Sequence, residues 1–305
     1  MSRAWLTGGA ALAAVLLAGL LGSVLVVGLF LSAPSRAAVG LPPDPIADAE
    51  PVGIPSASGS VLQGWWLPGR PGGGAVVLMH GVRGNRLGLV RRAAMLRDAG
   101  FAVLLFDLQA HGESAGRRIT FGKLEGLDAA AAVAFVRGRA PGERVGAVGI
   151  SLGGAAALLG PRPLDVDALV LESVYGTIDA ALANRLRAGL GPVLGAVAVP
   201  VLAPLFKLLL PPILGVTPAE LRPMDRIGGV RVPVLVAAGT ADVPTPLAES
   251  EALFAHAPDS PGKRFWPVAG AGHVDLEGYD PLGYRRVVLA FLQQTLQRSP
   301  DLSVR

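Results

Sequence analysis

From about residue 60 onward, short continuous apolar runs alternate with longer segments whose apolar positions recur at helical spacing. Ser60–Leu67 reads as an exposed strand entering the turn at Pro68-Gly-Arg-Pro-Gly72. Ala75–Met79 reads as a buried strand, followed by a helix over 86–98 that stops at Gly100. Ala102–Phe106 is the next strand, and a helix over 124–138 is closed by Arg139-Ala-Pro141. Arg144–Ile150 is a strand, with a helix over 152–160 stopped by Gly160-Pro161. Ala168–Leu171, Val232–Ala237 and Arg264–Val268 continue the series; helices at 246–257 and 281–297 complete it. Strands that are apolar throughout, separated by helices, indicate a mostly parallel, twisted sheet covered by helices on both faces. The rhythm is α/β.

Two stretches break it. Residues 4–33 contain neither proline nor charge, and they exceed the ~20 apolar residues that a spanning helix needs. Arg3 precedes the stretch and Arg36 follows it, so the flanking charge is nearly balanced. The preferred reading of residues 1–37 is an uncleaved transmembrane signal anchor. A signal peptide cleaved near Ser35-Arg36-Ala37 is the alternative, and a buried helix of the soluble fold the third. Either leading reading puts the rest of the chain outside the cytoplasmic membrane, anchored or secreted. Residues 38–54, with Leu41-Pro-Pro-Asp-Pro45, read as a tether; 55–297 is then the folded domain and 298–305 a tail.

The second interruption is 175–228, too long for an ordinary crossover between strands. Within it, 188–219 holds six prolines and one charge, Lys207. The prolines argue against a single straight membrane span. The stretch is expected to form a small helical cap, plain or with an apolar surface that dips into a bilayer or receives lipid chains.

Composition narrows the chemistry. Charged residues are 16% of the chain, against roughly 25% in an average soluble domain. The net charge of +4, without a long basic block, gives no support for nucleic-acid binding. The absence of cysteine excludes disulfides, thiolate metal sites and a cysteine nucleophile.

Gly149-Ile-Ser151-Leu-Gly153 lies where a buried strand meets a helix, and small flanking residues suit a serine held on a strained turn. A serine hydroxyl needs a general base and a group to hold that base. Four histidines are available: His80, His111, His256 and His273. His273 follows the last strand in Ala-Gly-Ala-Gly-His-Val-Asp275 and is the expected base. His256 reads as a surface residue, His80 as a loop brace and His111 as a loop-shaping residue. Asp242, in the loop after strand 232–237, is the expected carboxylate, with Asp275 the less favoured substitute. The amides of Leu152 and Val82 are placed to form an oxyanion hole. Arg83, Arg86, Arg91, Arg92 and Arg97 read mostly as a solvated helix face, with Arg83 and Arg86 near enough to the site to favour an anionic substrate group. Tyr175 follows strand 168–171 and faces either the pocket or the core.

Together, the strand ending in His80-Gly81, Asp107 with His111-Gly-Glu-Ser114, Gly149-x-Ser151-x-Gly153, Gly239 with Asp242, and Gly272-His273 resemble the α/β-hydrolase superfamily. With an N-terminal anchor and a short cap, the chain looks most like the Bem46/ABHD13-type membrane-anchored serine hydrolases. The resemblance implies ester, thioester or amide hydrolysis through an acyl-enzyme, with no cofactor and no metal; the preferred reading is a carboxylic ester, of a lipid or other acyl group. A serine peptidase or acyltransferase on the same triad, or a non-catalytic hydrolase-fold membrane scaffold, remain the alternatives.

Overall fold

The apolar runs are the strands of one eight-stranded sheet in a computed structural model that describes residues 3–298. The strands are β1 Glu50–Pro55, β2 Val61–Leu67, β3 Ala75–Met79, β4 Ala102–Phe106, β5 Val145–Ile150, β6 Ala168–Glu172, β7 Val234–Gly239 and β8 Arg264–Val268. Their order across the sheet is β1-β2-β4-β3-β5-β6-β7-β8. β2 is antiparallel to both neighbours, and β3 to β8 run parallel. Side chains alternate between faces: Ala75, Val77 and Met79 of β3 join one core, Val76 and Leu78 the other. Both cores are covered by helices, so the central strands β3 to β7 are buried throughout.

The helices are α1 Arg3–Leu31, α2 Val90–Asp98, α3 Glu125–Arg139, α4 Leu152–Leu159, α5 Ile178–Leu214 and α6 Leu247–His256, followed by short helical turns from residue 276 to 296. The closing segment is helical as expected, but interrupted by a π-turn at Arg285–Leu289. Most of the expected tail 298–305 lies outside the described residues.

The segment expected as a tether is folded. Ile46 and Ala49 are buried, and Glu50–Pro55 pairs with β2 as the sheet's edge strand. Its apolar residues are too sparse to announce a strand; pairing on one side and solvent on the other supplies the remaining hydrogen bonds. Further upstream, Ser35 and Arg36 pair in parallel with His111 and Gly112. α1 ends directly on this structure. Arg118 donates to the Leu29 carbonyl (2.9 Å) and Arg83 to that of Phe30 (2.6 Å). The Ile119 amide donates to Ser32 O at 2.8 Å. Two guanidinium groups thus satisfy carbonyls that a helix C-terminus leaves free and complement its partial negative charge.

α5 is a helical hairpin. Gly191 has φ 78° and ψ 171° inside it, outside helical geometry and in the region that favours glycine. Asp179 and Lys207 would be about 42 Å apart along a straight helix. Their charged ends instead meet at 2.5 Å, so the two arms lie side by side. This hairpin, with the short turns at Pro218–Glu220 and Pro223–Arg226, is the cap between β6 and β7.

Candidate active site

Parallel strands in register put their C-terminal ends at one edge, the place where sites gather in α/β sheets. Met79 pairs with Gly149, Ile150 with Glu172, and Gly239 with Val268. The loops leaving those residues carry the candidate chemistry.

Ser151 bridges β5 and α4 with φ 49° and ψ −106°. A side chain in this backbone region is strained, and the neighbours make room for it. A Cβ at Gly153 would collide with the Met79 carbonyl, and one at Gly149 with Gly154. The Ser151 amide donates to the Glu172 carbonyl at 2.7 Å, which pins the turn to β6. The hydroxyl stands at the N-terminus of α4.

The Ser151 Oγ lies 3.1 Å from His273 Nε2, and His273 Nδ1 lies 2.8 Å from Asp242 Oδ2. The other Asp242 oxygen accepts the Thr245 amide at 2.8 Å. With Nδ1 donating to the carboxylate, Nε2 is left to accept from the serine. The Asp242 and His273 loops are also joined by backbone: Thr240 N donates to Val268 O and Ala241 N to Ala271 O. Gly239 permits this approach, since a Cβ there would strike the Ala271 and Gly272 carbonyls. Asp275 points elsewhere. It caps the next helical turn by accepting the Gly278 amide and pairs with Arg91 on the surface.

The loop after β3 passes beside the nucleophile: a Cβ at Gly81 would lie 3.6 Å from the Ser151 Cβ. Val82 and Leu152 both border the cavity above Ser151. Among the described residues, neither amide is consumed by a hydrogen bond within the loops and turns. His80 holds this loop. Its Nδ1 donates to Gly81 O (2.7 Å) and its Nε2 accepts the Leu108 amide (3.1 Å). Burial, and next the ring of His111, lowers its pKa to about 3, so the imidazole is neutral. His111 is buried with Nδ1 donating to Gln109 O at 2.9 Å, and it packs against His80. His256 is exposed on α6.

Two of the five arginines expected on a solvated face are buried. Arg86 is 2% exposed and joins Asp107 and Glu113; Arg92 is 3% exposed and donates to Glu172 at 3.0 Å. Carboxylates at the ends of β4 and β6 draw these guanidinium groups inward. Arg86 is therefore committed within the fold and is not free to meet a substrate anion. The Tyr284 hydroxyl donates to the second Glu172 oxygen at 2.5 Å. Arg92 also reaches the Val274 carbonyl, one residue beyond His273, at 3.5 Å. This network escaped the sequence reading; a glutamate closing an apolar strand was its one visible sign. Arg92→Met is expected to leave Glu172 without its cation, costing about 3–5 kcal/mol. The thermal midpoint should fall by about 6–20 °C; a change under about 2 °C would show that the pair adds nothing.

Above Ser151 lies a cavity of about 320 Å³. Its walls come from the cap (Ile178, Phe206, Ile213), from α1 (Gly28, Leu31), and from Val82 and Phe121. Tyr175 borders it, with its hydroxyl donating to Phe121 O at 2.5 Å. Burial raises the pKa of this phenol, keeping it a neutral donor. Arg83 lies at the same cavity, its guanidinium over the Phe30 ring. Arg185, which the sequence reading did not single out, is the other cation there; its Nη1 donates to Ala181 O. No carboxylate borders the cavity among the described residues, and no group of three His, Asp or Glu is placed to hold a metal.

A sheet in this strand order, with a strained serine at the β5–α4 turn and a histidine and an aspartate on later loops, defines an α/β hydrolase. The chain belongs to that superfamily, in one family with the uncharacterized protein Rv2307c of Mycobacterium tuberculosis (strain ATCC 25618 / H37Rv): the two are 33% identical over 248 residues, 79% of this chain and 78% of the relative. The uncharacterized protein YfhR of Salmonella typhi is 29% identical over 272 residues, 82% of this chain and 83% of that one. A family model described as serine aminopeptidase, S33, matches residues 71–209. Among solved structures, the Pyrococcus furiosus esterase Pf2001 is similar with a TM-score of 0.69 and 22% identity, covering 87% of this chain and 98% of that one. An Exiguobacterium antarcticum esterase has a TM-score of 0.57 and 16% identity over 80% of this chain and 100% of its own. The protein is a hydrolase.

Proposed function

We propose that the protein is a serine hydrolase that cleaves carboxylic esters of medium or long acyl chains. The line from Ser151 Oγ through His273 to Asp242 carries this reading. Ser151 attacks the ester carbonyl carbon as His273 Nε2 takes the hydroxyl proton. Asp242 holds the imidazole in that tautomer and balances the imidazolium. The Val82 and Leu152 amides receive the oxyanion, each worth about 3–4 kcal/mol of barrier in a measured case. His273 then gives its proton to the departing alkoxide, leaving an acyl-serine. A water, activated by the same imidazole, adds to the acyl carbon; the carboxylic acid leaves and Ser151 regains its proton. Every proton passes through one nitrogen.

The cavity favours an ester over a peptide N-terminus. An aminopeptidase must hold an ammonium group, and this cavity offers two guanidinium groups and no carboxylate among the described residues. The similar Pyrococcus and Exiguobacterium proteins are esterases. Bem46/ABHD13-type hydrolases remain the subfamily it most resembles. We read α1 as a retained anchor, with the catalytic domain outside the cytoplasm: cleavage near residues 35–37 would remove Gly28 and Leu31 from the cavity wall.

The test is a p-nitrophenyl ester series from acetate to palmitate, with the full chain in detergent micelles. Turnover rising beyond butyrate is expected from an apolar cavity of this size. Turnover that falls steadily from acetate to octanoate would discard the acyl preference, and no turnover from folded protein would discard the esterase.

A further inference from the structure

The catalytic cavity is walled in part by the N-terminal helix itself. Gly28 and Leu31 of α1 border the same cavity as Ser151. A Cβ at Gly28 would meet Ile213, Leu209 and Phe206 of the cap at 3.6–3.9 Å, so the two helices lie nearly in contact. No flexible spacer separates α1 from the hydrolase domain, because Arg83, Arg118 and the Ile119 amide hold its last turn. If α1 enters a bilayer, the cavity must lie at the bilayer's surface.

The second arm of the cap has the same character. Val193–Leu214 is one of two helices in the described residues long and apolar enough to cross a membrane, the other being Ala14–Leu31. Phe206, Leu209 and Ile213 turn toward the cavity. Val193, Val197, Val201 and Leu208, at steps of four, four and seven residues, form a separate stripe and are 52–76% exposed. The arm's one charge, Lys207, is matched by Asp179 on the first arm. That first arm carries Arg185 and Arg187, so the hairpin suits a position lying in the interface, not across it. Leu17, Leu21, Leu25 and Val26 leave α1 equally apolar outside. An apolar surface of this extent, continuous over two helices in contact, matches hydrocarbon.

We propose that the stripe Val193–Leu208 is inserted beside α1 into one leaflet of a lipid bilayer, so that the cavity opens to the lipid phase and the ester is drawn from the membrane. The lipid substrate class rests on the serine-hydrolase reading above; the insertion does not. Arg83, Arg118 and Arg36, gathered at the end of α1, then lie at the level of the lipid phosphates. The cavity wall that leads to Ser151 is apolar apart from Arg83, Arg185 and Tyr175.

The chain has no cysteine, so single cysteines can be placed and labelled without background. Val197→Cys, away from the cavity wall, and Val61→Cys, exposed on β2, would carry an environment-sensitive fluorophore in the full chain. The protein is reconstituted in vesicles of phosphatidylcholine with one quarter phosphatidylglycerol. The label at 197 is expected to shift to the blue and to be quenched by lipid-borne nitroxide but not by aqueous iodide, with the reverse at 61. Val197→Lys should lower turnover of p-nitrophenyl palmitate dissolved in the vesicles by tenfold or more, leaving water-soluble p-nitrophenyl acetate unchanged. Iodide quenching at 197 in protein that still hydrolyses acetate would overturn the insertion. Protection from both quenchers, varying with protein concentration, would overturn it in favour of a second copy of the chain. Lipid quenching at 197 with no hydrolysis of either ester would keep the insertion and remove the esterase reading beneath it.

Discussion

An alanine at position 151 is expected to lower kcat/KM for a carboxylic ester by about 10⁴-fold or more. The hydroxyl is the one atom that attacks, and nothing near it can replace it. Another hydroxyl on these loops, that of Ser173, is fully buried, with φ 51° and its amide donating to Ala237 O. Stability should change little, because Ser151 is fixed by its backbone: its amide donates to Glu172 O and its carbonyl accepts from Ala155 N. Alanine would share the serine's cost in the positive-φ turn and leave those bonds in place. The comparison is initial rates on p-nitrophenyl butyrate, with circular dichroism and the thermal midpoint as controls. Activity within tenfold of wild type in folded protein would remove Ser151 from the mechanism.

Asp242→Asn should be nearly as damaging, by a different route. The carboxylate accepts twice, from Thr245 N on Oδ1 and from His273 Nδ1 on Oδ2. An asparagine side chain has one acceptor oxygen and one NH₂ group. If its oxygen faces Thr245, the NH₂ meets Nδ1 and forces the tautomer that carries its proton on Nε2. That proton points at Ser151, so Nε2 cannot accept the one it should remove. If the amide turns round, two donors face each other at Thr245. The same exchange in a measured serine protease lowered kcat about 10⁴-fold with geometry intact. A fall of that order is expected here. A loss smaller than about tenfold would mean that Asp242 is a turn-capping residue and no more.

The centre of the sheet was legible because β3 to β7 are buried on both faces, so each apolar run is continuous. β1 was not, since an edge strand needs few apolar residues and Glu50–Pro55 contains two prolines. The candidate triad could be picked out because serine, aspartate and histidine each follow a recognisable strand in chain order. Arg86 and Arg92 were misread for a physical reason. Spacing along a helix cannot reveal that Asp107 and Glu172, far away in sequence, lie beneath that face. The cap's hairpin was hidden as well. Prolines in 188–219 argued against one straight span, but most lie inside the helical arms, and the reversal itself comes from Gly191. Nor does any local pattern in residues 4–33 announce that the helix ends on Arg83 and Arg118 and lends Gly28 to the cavity.

The most direct test of the central claim is covalent labelling of the full chain by a fluorophosphonate, read by peptide mass spectrometry. This account predicts one adduct, on Ser151, forming at a rate that collapses in His273→Ala. Folded protein that acquires no adduct, or acquires it at another serine, would contradict it.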